Sequence, residues 1–445
     1  MPEDKTQDAL LEALEAEDFD RARANLKELH PSEVADLLES QPSKIREKIW
    51  DMVPAELEGD VLSHAQDAVR AGLLETMAPQ EVAEATRELD VDDAADILHD
   101  LPEDVMDSVL LSMDAQNRER LASVLSYPED TAGGLMNLDV VPVRADVSLD
   151  VVARYLRKLG ELPEQTDNLM VVDRENHYLG VLPLSDILTR NQEATVGELM
   201  VPGVNMTADT PARDVAKVFE QRDLLSAAVI DNNGLLLGRI TVDDVLDVIQ
   251  QQAEQTMRSM ARLGDDDMFA PVLSSTKRRA VWLGVNLITA FLAAWVIGHF
   301  TDTIHQLVAV AVLMPIVASM GGIAGNQTLT IATRGIALGY LGKANARSLL
   351  IKELSVGLLN GVVWASVIGL IASLWFDDIS LGVVIGCAVI INLFVAATAG
   401  ALIPLLLKRM GIDPAIAGGV LLTTLTDVVG FMTFLGLATV FLIHR

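Results

Sequence analysis

Apolar positions divide this chain into two unlike stretches. After residue 271 or so they merge into five runs, roughly 280–300, 306–333, 349–375, 381–407 and 414–443. Each is near or above the ~20 residues that cross a bilayer as a helix. Before that point, apolar residues are spaced among charges. From about residue 5 to 128 they recur at i, i+3 and i+4 behind openers that begin with Pro or an acidic residue, as in "HPSEVADLLESQP", "APQEVAEATREL" and "VDDAADILHDLPEDVMDSVLLSM". That pattern predicts many short amphipathic helices in a superhelical, solenoid-like all-α domain.

A repeat follows. "NLMVVDRENHYLGVLPLSDIL" (168–188) aligns with "SAAVIDNNGLLLGRITVDDVL" (226–246), so that Asp173 matches Asp231, Gly180 matches Gly238 and Asp186 matches Asp244. Upstream, "LMNLDVVPVRADVSLDVVARYL" echoes "LMVPGVNMTADTPARDVAKVF". Each unit reads as helix, strand, acidic turn, strand, helix.

Charge sharpens the division. Of 33 basic and 63 acidic residues, ten and six lie in 272–445, which leaves the preceding stretch at −34. Such a surface excludes nucleic acid, which needs basic partners for its phosphates. It suits hard cations, or a merely solvated surface. Lys and Arg gather before the first run ("TKRR"), between the second and third (Arg334, Lys343, Arg347, Lys352) and between the fourth and fifth (Lys408, Arg409). The other two joints, "HFTDTIHQ" and "WFDDIS", have none. The positive-inside rule then puts the front half in the cytoplasm and the C-terminus outside a bacterial-type inner membrane. The acidic N-terminus lacks an apolar core, so no signal peptide is expected. One cysteine, Cys387, allows no disulfide within the chain.

Polar residues inside the runs are the candidate chemistry. Asp427 is the sole charge between Pro414 and Ile443, and with Gly419, Thr423 and Gly430 it falls on one helical stripe. A carboxylate at such depth costs about 2.5–3.5 kcal/mol on insertion scales and usually marks an ion path. The alternative is a protonated or Thr-bonded aspartate used in packing. "MPIVASMGGIAGNQ" places Asn326 and Gln327 among glycines in the second run, and Asn392 is the one amide of the fourth. Five spans cannot form two equal inverted halves, so a pore at the axis of a two-fold homodimer is expected. Two facing copies of Asp427 would favour a hydrated divalent ion such as Mg²⁺ over K⁺ or Na⁺. In the front half, Asp92 and Asp96 stand four apart on one helix face; two carboxylates there can hold a cation or simply face water.

Residues 130–251 resemble a tandem pair of CBS domains. "YPEDTAGGLM", "MPIVASMGGIAGNQ" and "GIDPAIAGGVLLTTLTDVVGF", in this order of parts, resemble MgtE-type magnesium channels over nearly the whole chain. The resemblance implies a multidomain membrane protein: an all-α superhelical N-terminal domain (1–129), an α/β tandem CBS pair (130–247), a connecting plug helix (248–271) and a five-helix transmembrane domain (272–445). It implies a homodimeric Mg²⁺-selective influx channel, with Asp427, Thr423, Gly419 and Asn326 lining the pore. Cytosolic Mg²⁺ would close it by bridging acidic surfaces, with Asp92, Asp96, Asp223, Asp244, Asp247 and Asp413 as regulatory ligands. ATP at the CBS pair would use Asp186, Thr241 and Asp244. Four features depart from the family pattern. Gln252, Gln255 and Thr256 stand where plug carboxylates are expected. Ile323 replaces an Asn, Gly419 replaces a pore Asn, and Ser185 stands where Arg can precede Asp186. Weakened closure is therefore expected. An ion-coupled divalent-cation transporter and a membrane-anchored nucleotide sensor without flux are the alternatives. No nucleophile–base pair or phosphate loop is present and the seven histidines lack ligand spacing, so no enzyme is expected.

Overall fold

The computed structural model describes residues 9–14, 16, 18–261, 269, 272–338, 340–342 and 344–443. The chain parts into two compact units that divide near Glu254.

The first unit begins with short helices: α1 (Phe19–Leu26), α2 (Pro31–Glu39), α3 (Ser43–Trp50), α4 (Glu58–His64), α5 (Asp67–Leu74), α6 (Pro79–Ala85), α7 (Val91–His99), α8 (Glu103–Ser112) and α9 (Ala115–Val124). Their starts follow the openers. Pro31 and Pro79 occupy first-turn positions where no N–H is needed, and Glu33 and Glu81 accept the backbone N–H of His30 and Ala78, each at 2.7 Å. No helix exceeds ten residues, so each is marginal alone and depends on its buried face. Those faces share one core, which includes Leu38, Ile49, Leu62, Ile97 and Leu98.

The CBS repeats follow. The first holds β1 (Pro142–Arg144), α10 (Leu149–Leu159), β2 (Asn168–Val172), β3 (Tyr178–Pro183), α11 (Leu184–Thr189) and α12 (Val196–Leu199). The second holds β4 (Asn205–Thr207), α13 (Ala212–Arg222), β5 (Ser226–Ile230), β6 (Leu236–Thr241) and α14 (Val242–Ala261). Both sheets are built alike, with a parallel first pair and an antiparallel second pair. The acidic turn is an Asx turn in both. Asp173 accepts the N–H groups of Glu175 and His177, and Asp231 those of Asn233 and Leu235, at 2.8–2.9 Å. The echoing "LM" segments cross-brace the sheets: Asn137 bridges Arg239 in the second, and Val201 bridges Val181 in the first. A Cβ on Gly180 or Gly238 would lie 2.5 or 2.6 Å from the bridging carbonyl, which explains both glycines.

The expected boundary between CBS pair and connecting helix, at 247, falls within a continuous helix. The last CBS helix and the connector are one helix, α14, running 20 residues to Ala261. The rest of the expected plug, at 262–268 and 270–271, lies outside the described residues, as does the side chain of Thr256.

The second unit holds α15 (Val272–Gly298), the short α16 (Thr301–Gln306), α17 (Val308–Ala337), α18 (Ala346–Phe376), α19 (Ile379–Arg409) and α20 (Pro414–Ala438), which ends in a π-helical turn over Thr439–Ile443. Five of these are long and apolar enough to cross a membrane, as the sequence predicts. The most enclosed span, α19, packs on α17, α18 and α20.

An acidic pocket and a polar helix face

Within the first unit, α7 carries Asp92, Asp93 and Asp96, with Asp90 at its N-cap. Opposite stand Asp243 and Asp244, where β6 turns into α14, and Asp247 one turn on. Asp92 is buried at 6% exposure, and its Oδ1 has no hydrogen-bond partner. Burial, then the charges of Asp244, Asp93 and Asp90, push its carboxyl up. Burial and Asp90, followed by Asp243, Asp247 and Asp60, raise Asp93 to about 6. Burial, Asp243 and Asp93 raise Asp244 to about 8, although it accepts the Thr241 N–H (3.2 Å) and hydroxyl (2.9 Å). Burial raises Asp247 as well, against the pull of His64.

The neighbours divide the predicted pair. Asp92 meets Asp244. Asp96 lies toward Arg70, Glu129 and Asp67, and burial raises it to about 7 despite Arg70. Arg70 itself is held by Asp100 (2.5 Å) and Asp67 (3.2 Å). Asp93 and Asp243 belong to the pocket although sequence reasoning passed over them. The doublets Asp92–Asp93 and Asp243–Asp244 were the available signal, because a surface wedged against a helix meets adjacent positions about 100° apart. Carboxylates this crowded can offer oxygens and water-bonding sites to a hard divalent cation.

The other predicted ligands lie elsewhere. Asp223 is exposed at the left-handed C-cap of α13 (φ 51°). Asp413 is the exposed N-cap of α20, accepting the Ala415 N–H at 2.8 Å. Asp186 pairs with Arg190, the C-cap of its helix, at 3.3 Å beside an exposed Ser185, while Thr241 is buried and closed on Asp244. Asp173, Glu175 and His177 bring ligand atoms close together, but the Asx turn and the His177 ring already engage the Asp173 carboxylate.

In the second unit, α17 and α20 pack antiparallel in a register their glycines reveal. A Cβ on Gly430 would lie 3.3 Å from Val317, one on Gly325 3.0 Å from Leu422, and one on Gly418 2.9 Å from Leu329. Asn326 is therefore level with Leu421, between Gly419 and Thr423, and about 9 Å along the axis from Asp427. Asn326 is exposed and borders an open groove of about 670 Å³ with Ile323, Gln327, Thr330 and Ile331. Gly419, Thr423 and Asp427 are partly exposed. Thr423 donates its hydroxyl to the Gly419 carbonyl (2.9 Å) and Thr424 to that of Val420 (2.7 Å). Neither bonds Asp427, and among the described residues no side chain pairs with its carboxylate. A Thr-bonded packing role for Asp427 is thus not what the structure shows.

Gly430 departs from the expected stripe. It is buried, and its missing side chain makes room for Asn392, whose Nδ2 would lie 2.8 Å from a Cβ there. Asn392 is buried at 1% exposure and donates to the Val317 carbonyl at 2.8 Å. Gly430 packs helices together instead of extending the polar face.

A chain with a helical acidic domain, a CBS pair and five spans carrying one unpaired carboxylate has the make-up of a multi-pass cation transporter. The family comparisons agree. The MgtE profile, described as divalent cation transporter, matches residues 314–437, the MgtE intracellular N domain matches 29–130, and CBS domains match 132–193 and 196–251. The magnesium transporter MgtE of Thermus thermophilus is 30% identical over 99% of both chains, and that of Bacillus subtilis is 27% identical over 94% of both. The cytosolic domain of the Mg²⁺ channel MgtE, solved in complex with ATP, is 32% identical with a TM-score of 0.50, covering 54% of this chain and 99% of its own. The chain belongs to the MgtE family of magnesium transporters.

Proposed function

We propose that the protein is a homodimeric Mg²⁺ channel for influx, with its pore along the dimer axis and its gate set by cytosolic Mg²⁺. The unpaired Asp427 carboxylate on the partly exposed face of α20 carries this reading. Two copies facing across an axis give about −2 of charge at low dielectric, where a divalent ion gains most. Mg²⁺ sheds water reluctantly, so it meets such a pair through its hydration shell. The carbonyl-capped Thr423, Gly419 and Asn326 continue the same wall toward the cytoplasmic end of α20.

The acidic pocket supplies regulation. Asp92, Asp93 and Asp244, supported by Asp90, Asp243 and Asp247, repel one another until a cation enters between α7 and the start of α14. Mg²⁺ then holds the N-terminal domain on the CBS pair in the closed state. Asp223 and Asp413 remain regulatory ligands only if another copy or element brings partners to them. We assign Asp244 to the cation and leave Asp186 of the first repeat as the residue for a nucleotide such as ATP. Gln252 and Gln255 offer no charge to Mg²⁺, so closure needs a higher cytosolic Mg²⁺ concentration than in an acidic-plug relative.

Mg²⁺ uptake in cells lacking their own Mg²⁺ transport, together with patch-clamp currents at stepped cytosolic Mg²⁺, tests this. Unitary currents that Asp427→Ala abolishes and Mg²⁺ suppresses are expected. Saturable flux coupled to pH without unitary currents would instead mark an ion-coupled transporter. Rescue of growth by Asp427→Ala equal to wild type would refute the pore assignment.

A further inference from the structure

A second carboxylate lies within the spans. Glu353 sits seven residues into α18 and is buried at 4% exposure. Its Oε2 accepts the hydroxyl of Thr328 on α17 at 3.0 Å, and its Oε1 meets the Lys352 ammonium at 3.2 Å. Thr328 is itself buried, at 5%. The contact depends on α19 staying close: a Cβ on Gly400 would fall 2.8 Å from the Thr328 Cβ and 2.7 Å from the Gly325 carbonyl. Three helices thus converge on one hydroxyl–carboxylate bond. Thr328 follows directly on Asn326 and Gln327, and 100° per residue puts Asn326 on the far side of α17 from Thr328. The bonded side is packed; the opposite side borders the groove of Asn326, Gln327, Ile323, Thr330 and Ile331.

We propose that Glu353 is a positioning residue: through Thr328 it sets the rotation of α17 about its axis and so keeps Asn326 turned toward the groove. The inference rests on the ion-path reading for what that groove does, but the rotational claim stands on geometry alone. The bond from the Thr328 hydroxyl to Oε2 is a directional tether, unlike the apolar packing around it: turning α17 would leave that buried oxygen without its donor, since Lys352, on α18 itself, meets Oε1. Glutamine at 353 can still accept the Thr328 hydrogen bond; alanine cannot. Thr328→Val removes the donor while keeping its shape.

The test uses the full-length protein with Cys387→Ala, so that introduced cysteines are the sole thiols. Asn326→Cys reports the groove side and Ala332→Cys, buried at 0% and one turn from Thr328, the packed side, through labelling by a small cationic thiol reagent. With Glu353 intact, Asn326→Cys should label at least about tenfold faster than Ala332→Cys, because burial slows reagent access. Glu353→Gln should keep that ratio. Glu353→Ala and Thr328→Val should collapse it toward one and cut Mg²⁺ uptake at least about fivefold, a loss of transport function read as in other variant series. Should Glu353→Ala misfold, Thr328→Val gives the same reading. An unchanged ratio with uptake within about twofold of the parent in a folded variant overturns the proposal. Slowing of Asn326→Cys labelling by Mg²⁺ tests the ion path separately. Its absence, with the ratio still dependent on Glu353, removes the path reading and upholds the tether.

Discussion

The acidic pocket and the membrane face both place carboxylates where water is scarce, yet they do so in opposite ways. In the pocket, Asp92, Asp93 and Asp244 face like charges at short range, and their carboxyls are pushed up by burial and by one another. Within one chain, no described side chain pairs with Asp427 on its partly exposed face of α20, and the nearby threonines spend their hydroxyls on helix carbonyls. On the proposed function, a bound cation relieves the crowding in the pocket, and a passing cation relieves the desolvation of Asp427. Crowding suits a site that must bind and hold. A carboxylate met by just its counterpart in a second copy, as proposed, suits one that must bind and let go, since binding too tight to release stops conduction.

The largest effect that would break this comparison is loss of the lone charge. Asp427→Asn should lower Mg²⁺ uptake at least about tenfold, because the amide removes the charge from a low-dielectric path. Uptake within twofold of wild type in a folded variant would end the contrast. Next comes the crowd. Asp92→Asn with Asp244→Asn should leave the N-terminal domain docked without Mg²⁺, read as hydrogen exchange of the α7 amides in full-length protein with and without chelator. Wild type should lose protection on chelation; the double variant should not.

Protons should imitate that substitution. These carboxyls titrate near 3.8 when unperturbed and higher in the pocket, up to about 8 at Asp244, so the docked state binds more protons than the undocked one. In chelator, docking therefore strengthens as pH falls from about 8 toward 4 and weakens as it rises through the same window. Protection of α7 that is flat with pH would show that the crowding is relieved some other way. A smaller effect probes packing. Gly430→Ala would push a methyl to within 2.8 Å of the Asn392 amide and should cost about 1–3 kcal/mol of thermal stability. Ala at Gly419, on the open face, should be nearly silent in the same melt.

Much of this was readable from the sequence. The five spans were legible from run length alone, and the CBS repeat from matched Asp and Gly positions whose turn and bridge roles the structure supplies. Asp427 was legible because nothing else in its run is charged. Glu353 was missed because it sits beside Lys352 near the start of its run, where a charge pair looks like an ordinary flank. Asp93 was missed because helical spacing pairs Asp92 with Asp96, while the partner surface is broad enough to meet adjacent positions. Gly430 was misread since helical periodicity groups residues over a wide arc, and only packing tells the edge of that arc from its centre. The boundary between CBS pair and connector came with the family resemblance, and α14 runs through it unbroken.

The glycine contacts between α17 and α20 have a mechanical consequence. They recur at multiples of four residues, so the two helices mesh like a rack and cannot creep past each other by small amounts. The smallest slip that re-engages them is one such step, about 6 Å, and it would have to clear every tooth at once. A displacement of one helix therefore carries the other with it as one stave, and Asn326 and Asp427 keep their spacing.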